Sequence, residues 1–243
     1  LAEAFMHFDA SDASTITTNA EGGVERVESA NGNGRYMEPA KLANDFRATL
    51  QKFGDYTVMD FGGFNWNGPA TAGLAWSERC TSPREIFVVC YRPGGSNQFL
   101  LSDVTDVAFY TEGGSLVHPN ADSTRWSAKW YINDYEINPV QVNFTNELAV
   151  YSVTDIQPNA QHVSRLASDR DSYESMWFSQ LAQDRAARIG GMQYGEVIVY
   201  DHPLTDEKRE DIRNYLLKKW TSVPVVAKDA ESFDVNVEGG ARF

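Results

Sequence analysis

Short runs in which apolar and polar positions alternate, broken every few residues by Gly, Pro, Asn or Asp, make up most of the chain. Alternation with period two marks a half-buried strand. It predicts strands at 5–9, Val24–Glu28, 56–61, 99–101, 107–110, 116–117, 148–153 and 194–200. Glu85–Tyr91 is the most apolar run and is predicted to lie centrally in a sheet. Lys129–Ile132 and Tyr135–Ile137 flank Asn133-Asp134, which predicts a two-residue hairpin with positive φ at both turn positions. Residues 12–18 read as a polar turn, and Asn31-Gly32-Asn33-Gly34 as a loop, because Asn and Gly tolerate positive φ. Two stretches break the rhythm. Leu42, Phe46, Leu50 and Phe53 recur at helical spacing and predict a helical insert over 42–53. Residues 168–188 are polar with Tyr173, Met176, Trp177, Phe178 and Leu181 embedded, and predict a surface excursion over one sheet. Many short strands with frequent turns describe an all-β, antiparallel two-sheet sandwich or jelly roll.

The closing stretch is different in kind. Val197 and Val199 alternate with Glu196, Ile198 and Tyr200, and Asp201-His202-Pro203 then ends the strand, since Pro cannot donate to a ladder. Thr205 is a good N-cap, with Asp206 and Glu207 in the first turn and Lys218 and Lys219 in the last, as the helix dipole favours. Ile212, Tyr215, Leu216 and Trp220 fall on one face, predicting one short amphipathic helix docked by that stripe.

This segment, Gly195-Glu196-Val197 through Tyr200-Asp201, Leu204-Thr205-Asp206-Glu207, Arg209 and Tyr215-Leu216…Lys219-Trp220, resembles the closing segment of bacterial laminin-G-like domains of the concanavalin A-like lectin/glucanase superfamily. Phe8-Asp9-Ala10-Ser11-Asp12-Ala13-Ser14-Thr15-Ile16 resembles that family's opening motif, and Ser29-Ala30-Asn31-Gly32-Asn33-Gly34 the element that follows it. The resemblance spans roughly residues 5–220. It implies a concanavalin A-like jelly roll over 1–222, with 223–243 either an edge strand of the sandwich or the start of a following module. It also implies a bacterial, extracellular, cell-surface setting within a larger chain, and calcium as the cofactor the superfamily most often uses. The superfamily carries lectins, enzymes and adhesion modules alike, so fold alone does not give function.

Composition narrows the classes. The 243 residues carry a formal net charge of −13 and a sequence pI near 4.7. An acidic excess disfavours nucleic acid and anionic membrane surfaces, which need clustered Lys and Arg. No apolar run approaches the ~20 residues of a membrane span, and no signal peptide is visible, so the chain reads as an excised domain or a mature product. Two cysteines, Cys80 and Cys90, are too few for a disulfide scaffold, and the strand at Glu85–Tyr91 would carry Cys90 away from Cys80.

A retaining glucanase needs two carboxylates about 5 Å apart. The E-x-D-x-x-E pattern that would supply them is absent from the sequence, and Glu196 and Asp201 lie about 16 Å apart at strand rise, on opposite faces. Sugar binding needs exposed aromatics beside amides or carboxylates. Asn65, Trp66 and Asn67, in the Gly-rich stretch 62–73, have that composition, and Trp126 and Trp177 are further candidates. Trp76, Trp130 and Trp220 are assigned to packing. Asp9 and Asp12, with carbonyls near 31–33, are the candidate calcium ligands. The leading expectation is a non-catalytic module binding a glycan or a host surface protein. An adhesion spacer without a small-molecule site stands second and a glycan-active enzyme third.

Overall fold

The computed structural model describes residues 1–39, 47–62, 73–91, 98–102, 109–111, 116, 128–145, 147–157, 163–166 and 192–221. In chain order the strands are β1 Met6–Asp9, β2 Ile16–Thr18, β3 Val24–Glu28, β4 Tyr36–Pro39, β5 Thr49–Phe53, β6 Tyr56–Asp60, β7 Leu74–Cys80 and β8 Glu85–Tyr91. They continue with β9 Gln98–Ser102, β10 Phe109–Thr111, β11 Lys129–Ile132, β12 Tyr135–Ile137, β13 Ala149–Thr154, β14 Val163–Leu166 and β15 Gln193–Tyr200. A single 3-10 turn, Ala13–Thr15, precedes β2, and one helix, α1 Asp206–Trp220, closes the described chain.

The strands form two antiparallel sheets. One has the order β12-β11-β13-β8-β15-β6-β5, with β1 also paired to β15; the other runs β10-β9-β14-β7-β4-β3-β2. Met6, Phe8, Val88, Cys90, Trp130, Tyr151, Tyr194 and Val197 of the first sheet join Val27, Met37, Leu74, Trp76 and Cys80 of the second in one buried cluster. A second cluster covers the opposite face of the first sheet: Val58, Phe87, Val89, Val150, Ile198 and Tyr200 pack against Ile212, Leu216, Leu217 and Trp220 of α1. This explains β8. Ile86, Val88 and Cys90 face one cluster while Phe87 and Val89 face the other, so a strand covered on both sides reads as one apolar run. It lies between β13 and β15, central as its composition predicts.

Several local expectations change. Thr49–Phe53 is a strand, and Phe53 pairs with Tyr56 across a Gly54-Asp55 turn in which Gly54 takes φ 58°. Leu50 and Phe53 share helical spacing with Leu42 and Phe46, but pairing of the whole of β5 with β6 outweighs that local signal; residues 40–46 lie outside the described part. Residues 12–18 hold the 3-10 turn and β2 rather than a plain turn. At the β11–β12 hairpin only Asn133 takes positive φ, 54°; its N–H donates to the Val150 carbonyl at 2.7 Å and its Oδ1 accepts from Val150 N at 3.0 Å, which extends the ladder to β13. Both cysteines are free and buried. Trp76, Trp130 and Trp220 are core residues, as assigned. Among the described residues no helix is long and apolar enough to cross a membrane.

A one-residue irregularity in β15 sets up the site. Tyr194 faces Cys90 and Glu196 faces Val89, leaving Gly195 as the extra residue of a bulge. The bulge puts Tyr194 and Glu196, two positions apart, on opposite faces: Tyr194 enters the inter-sheet core while Glu196, in step with Ile198 and Tyr200, faces α1. Only glycine fits at 195: a Cβ there would meet the Trp220 ring at 2.9 Å and Val89 at 3.0 Å.

Candidate functional site: two buried carboxylates under the helix

Glu196 has no solvent exposure. A buried carboxylate needs partners, because desolvating an unpaired charge is costly. Four side chains supply them. His7 Nε2 donates to Oε1 at 2.7 Å and Tyr215 OH to the same oxygen at 3.0 Å. Lys219 Nζ and Trp220 Nε1 each donate to Oε2 at 2.7 Å. Lys219 Nζ also donates to Asp9 Oδ2 at 2.5 Å and to the Tyr215 hydroxyl at 3.1 Å. The geometry follows from pairing and helical period. Asp9 lies directly across from Glu196, and His7 from Ile198, so β1 places both side chains on the α1 face. Tyr215 and Lys219 are one turn apart on the helix. Burial pushes the Glu196 carboxyl up, but the bonds from His7, Lys219 and Trp220 and the Lys219 charge outweigh it, and its pKa falls below the ordinary value. Burial pushes the Tyr215 hydroxyl up to about 12.

The other end of α1 rests on Glu85, likewise unexposed. Arg209 donates from Nη2 to Oε1 at 2.6 Å and from Nε to Oε2 at 3.2 Å. The backbone N–H groups of Leu204 and Asp155 reach the two oxygens at 3.3 Å each. Arg209 is shared: it also pairs with Asp155 and, at 2.9 Å, with Asp206. Here burial wins over the Arg209 bonds and charge, and the Glu85 pKa rises.

His7, Asp9 and Glu196 bring one ligand atom each within 4.8 Å of one another. The donor set is fitted to an ammonium: Lys219 stands between Asp9 and Glu196 and supplies the positive charge a metal would bring. Calcium takes about six to eight oxygens, whereas Asp9 Oδ1 already accepts from Ser11 N at 2.9 Å and Ser11 Oγ at 2.6 Å. Asp12 lies apart from this group and caps its own turn, accepting from Ser14 N at 3.1 Å and Ser14 Oγ at 2.6 Å. Asp9 and Glu196 also approach the separation of a retaining glycosidase pair, but an ammonium ties them together and Glu196 has no face open to a sugar.

The five candidate ligand contacts, Asn65, Trp66, Asn67, Trp126 and Trp177, all lie outside the described residues. The sequence motif contains Glu196, Arg209, Tyr215, Lys219 and Trp220 without showing what they converge on, and it leaves out His7 and Glu85. A signal was present: Glu85 and Glu196 each open an apolar run, and an acidic residue on a strand that must be buried requires a partner.

The described residues define a two-sheet antiparallel β fold with one helix packed on an outer sheet face. Comparison of the chain with known protein families, curated protein sequences and solved structures finds no match.

Proposed function

We propose that the chain is a non-catalytic binding module of the concanavalin A-like, laminin-G-like kind, part of a larger bacterial cell-surface protein, with a glycan or a host surface protein as ligand. One observation supports this reading above others. The residues that carry the resemblance at opposite ends of the sequence meet in one network: Asp9 of the opening motif bonds Lys219 of the closing motif, and both surround Glu196 with Tyr215 and Trp220. The intermediate Ser29-to-Gly34 element does the same for the N-terminal segment, since Asn31 Nδ2 donates to the Ala4 carbonyl at 2.7 Å and Asn33 Nδ2 to that of Phe5 at 2.9 Å. These motif residues hold the fold together. The ligand contacts of this reading therefore belong to loops, where a rigid sheet can present an aromatic beside amides.

Asn65, Trp66 and Asn67 are the proposed contact, with Trp126 and Trp177 as further aromatics. A glycan array, run with and without calcium, tests the reading. Binding that Trp66→Ala abolishes at unchanged melting temperature supports it. The second reading, an adhesion spacer, draws on the internal engagement of the motif side chains just described; it predicts no glycan binding and a Trp66→Ala protein that melts lower. The implied calcium is tested in the same material: an ion bound only to the native state raises the melting temperature by mass action, and chelation reverses that rise.

A further inference from the structure

Three Asn-Gly pairs occur in the chain, Asn31-Gly32, Asn33-Gly34 and Asn67-Gly68, and the first two sit in one loop. Asn-Gly is chemically fragile. The glycine backbone nitrogen, unhindered by a side chain, can attack the asparagine Cγ. The Cγ–Nδ2 bond then breaks, ammonia leaves and a succinimide ring forms. Water opens that ring at either carbonyl, giving an aspartyl or isoaspartyl residue. Base removes the attacking N–H proton, and no oxidant or cofactor takes part.

By sequence Asn31 and Asn33 are equivalent. In the fold they are not. The nucleophile for Asn31 is committed, because Gly32 N donates to the Ser29 carbonyl at 2.9 Å. Among the described residues the Gly34 N–H has no hydrogen-bond partner, and Gly34 takes φ 81° in open space, with nothing within 4 Å of where a Cβ would stand. Asn33 is itself exposed, so water reaches the ring. We infer that Asn33 is a site of spontaneous deamidation in the folded protein and that Asn31 is protected.

The modification would act on what Asn33 holds. Its Nδ2 donates to the carbonyls of Ala4 at 3.1 Å and Phe5 at 2.9 Å, and its Oδ1 accepts from Arg35 N at 3.0 Å. A carboxylate cannot donate, so conversion replaces two attractive contacts with a negative charge facing two carbonyl oxygens. The segment it releases carries Phe5, whose ring stacks 6.3 Å from Trp76 and lies 4.0 Å below the Arg35 guanidinium. Loss of this hook loosens the entry to β1, the strand that delivers His7 and Asp9 to Glu196.

The test incubates the native protein and, in parallel, the denatured chain at mildly alkaline pH, and follows the mass gain by peptide mapping with isoaspartate detection. The denatured chain is the reference in which both pairs react. In the native protein Asn33 should react faster than Asn31 by at least about fivefold, the factor one net backbone hydrogen bond is worth, and Asn67 is mapped separately. Native Asn31 reacting as fast as Asn33, or neither reacting while the denatured chain does, overturns the inference. An Asn33→Asp protein should melt below the parent and Asn33→Ser, which cannot form the ring, should show no mass gain in this peptide beyond that of Asn31. A gain at position 31 that rises to the parental Asn33 rate in Asn33→Ser would also overturn it.

Discussion

Glu196 lies beneath the C-terminal turn of α1 and Glu85 beneath the N-terminal end, both without solvent exposure, yet their acidities move in opposite directions. The difference lies in the donors. Glu196 receives four side-chain donors from two elements, β1 and α1, among them an ammonium and an imidazole at 2.7 Å. Glu85 depends on one guanidinium that also serves Asp155 and Asp206, supplemented by two backbone N–H groups at 3.3 Å. Burial alone does not decide a carboxylate's state; the number and exclusivity of its charge-assisted bonds do. The two ends also differ in what they join. Glu196 ties α1 to β1 and so links the two ends of the described chain, whereas Glu85 ties α1 to the Asp155 turn after β13.

The largest effects should come from removing an anchor at either end. Trp220→Ala removes an indole that fills the C-terminal end of the second cluster and donates to Glu196, and should cost about 3–5 kcal/mol. Arg209→Met strands Glu85 and should cost a similar ~3–5 kcal/mol. Denaturant unfolding measures both, and a Trp220→Ala protein as stable as the parent would sink the docking of α1.

Gly195→Ala comes next. The new methyl collides with Trp220 and Val89 at the bulge, for an overpacking cost of about 1–3 kcal/mol. An unchanged melt would mean that Trp220 can slide away, and that the C-terminal end is held less tightly than its hydrogen bonds indicate.

The acidities separate the two ends by sign. The folded pKa of Glu196 is depressed, so its contribution is present above the ordinary carboxylate range and is lost as pH falls through the folded pKa. The deficit of Glu196→Gln relative to the parent should therefore shrink on acidification. The folded pKa of Glu85 is raised, so its contribution is present below the unfolded pKa and is lost as pH rises through the folded one. The deficit of Glu85→Gln should grow on acidification. Unfolding free energies at neutral and acid pH decide this, and parallel slopes for the two variants would erase the distinction.

The smallest effect is expected at the cap. Thr205 Oγ1 accepts from Lys208 N at 3.2 Å, and Thr205→Ala should cost about 1 kcal/mol in the same unfolding experiment. A loss as large as that of Arg209→Met would show that the N-terminal end depends on its cap as much as on Glu85.

Much of the local structure was legible in the residues. Thr205, the acidic first turn and the basic last turn announced α1, and its cap and charges stand as read. The docked stripe was read with one error. Leu217 is buried where Tyr215 had been assigned, because Tyr215 lies at the edge of the contact, 37% exposed, and uses its hydroxyl rather than its ring on Glu196. The packing roles of Trp76, Trp130 and Trp220 followed from alternation and helical spacing, and the structure keeps them. The sequence pattern passes over β2, β4, β7 and β14, and reads β5 as helix, because a strand draws its stability from pairing with partners outside its own window.

By itself the sequence determined what depends on near neighbours: turns, caps, the central apolar strand and the amphipathic helix, all set by backbone preference and by periods of two or 3.6. Tertiary structure alone decided the rest. His7 and Glu196 are 189 positions apart and meet only because β1 pairs with β15. The parity break that turns Tyr194 into the inter-sheet core while Glu196 faces the helix comes from one extra residue, Gly195, which no period reveals. Whether an acidic side chain in an apolar run is an anchor or a liability depends on which donors surround it, and the fold brings His7 to Glu196 across 189 positions and Arg209 to Glu85 across 124.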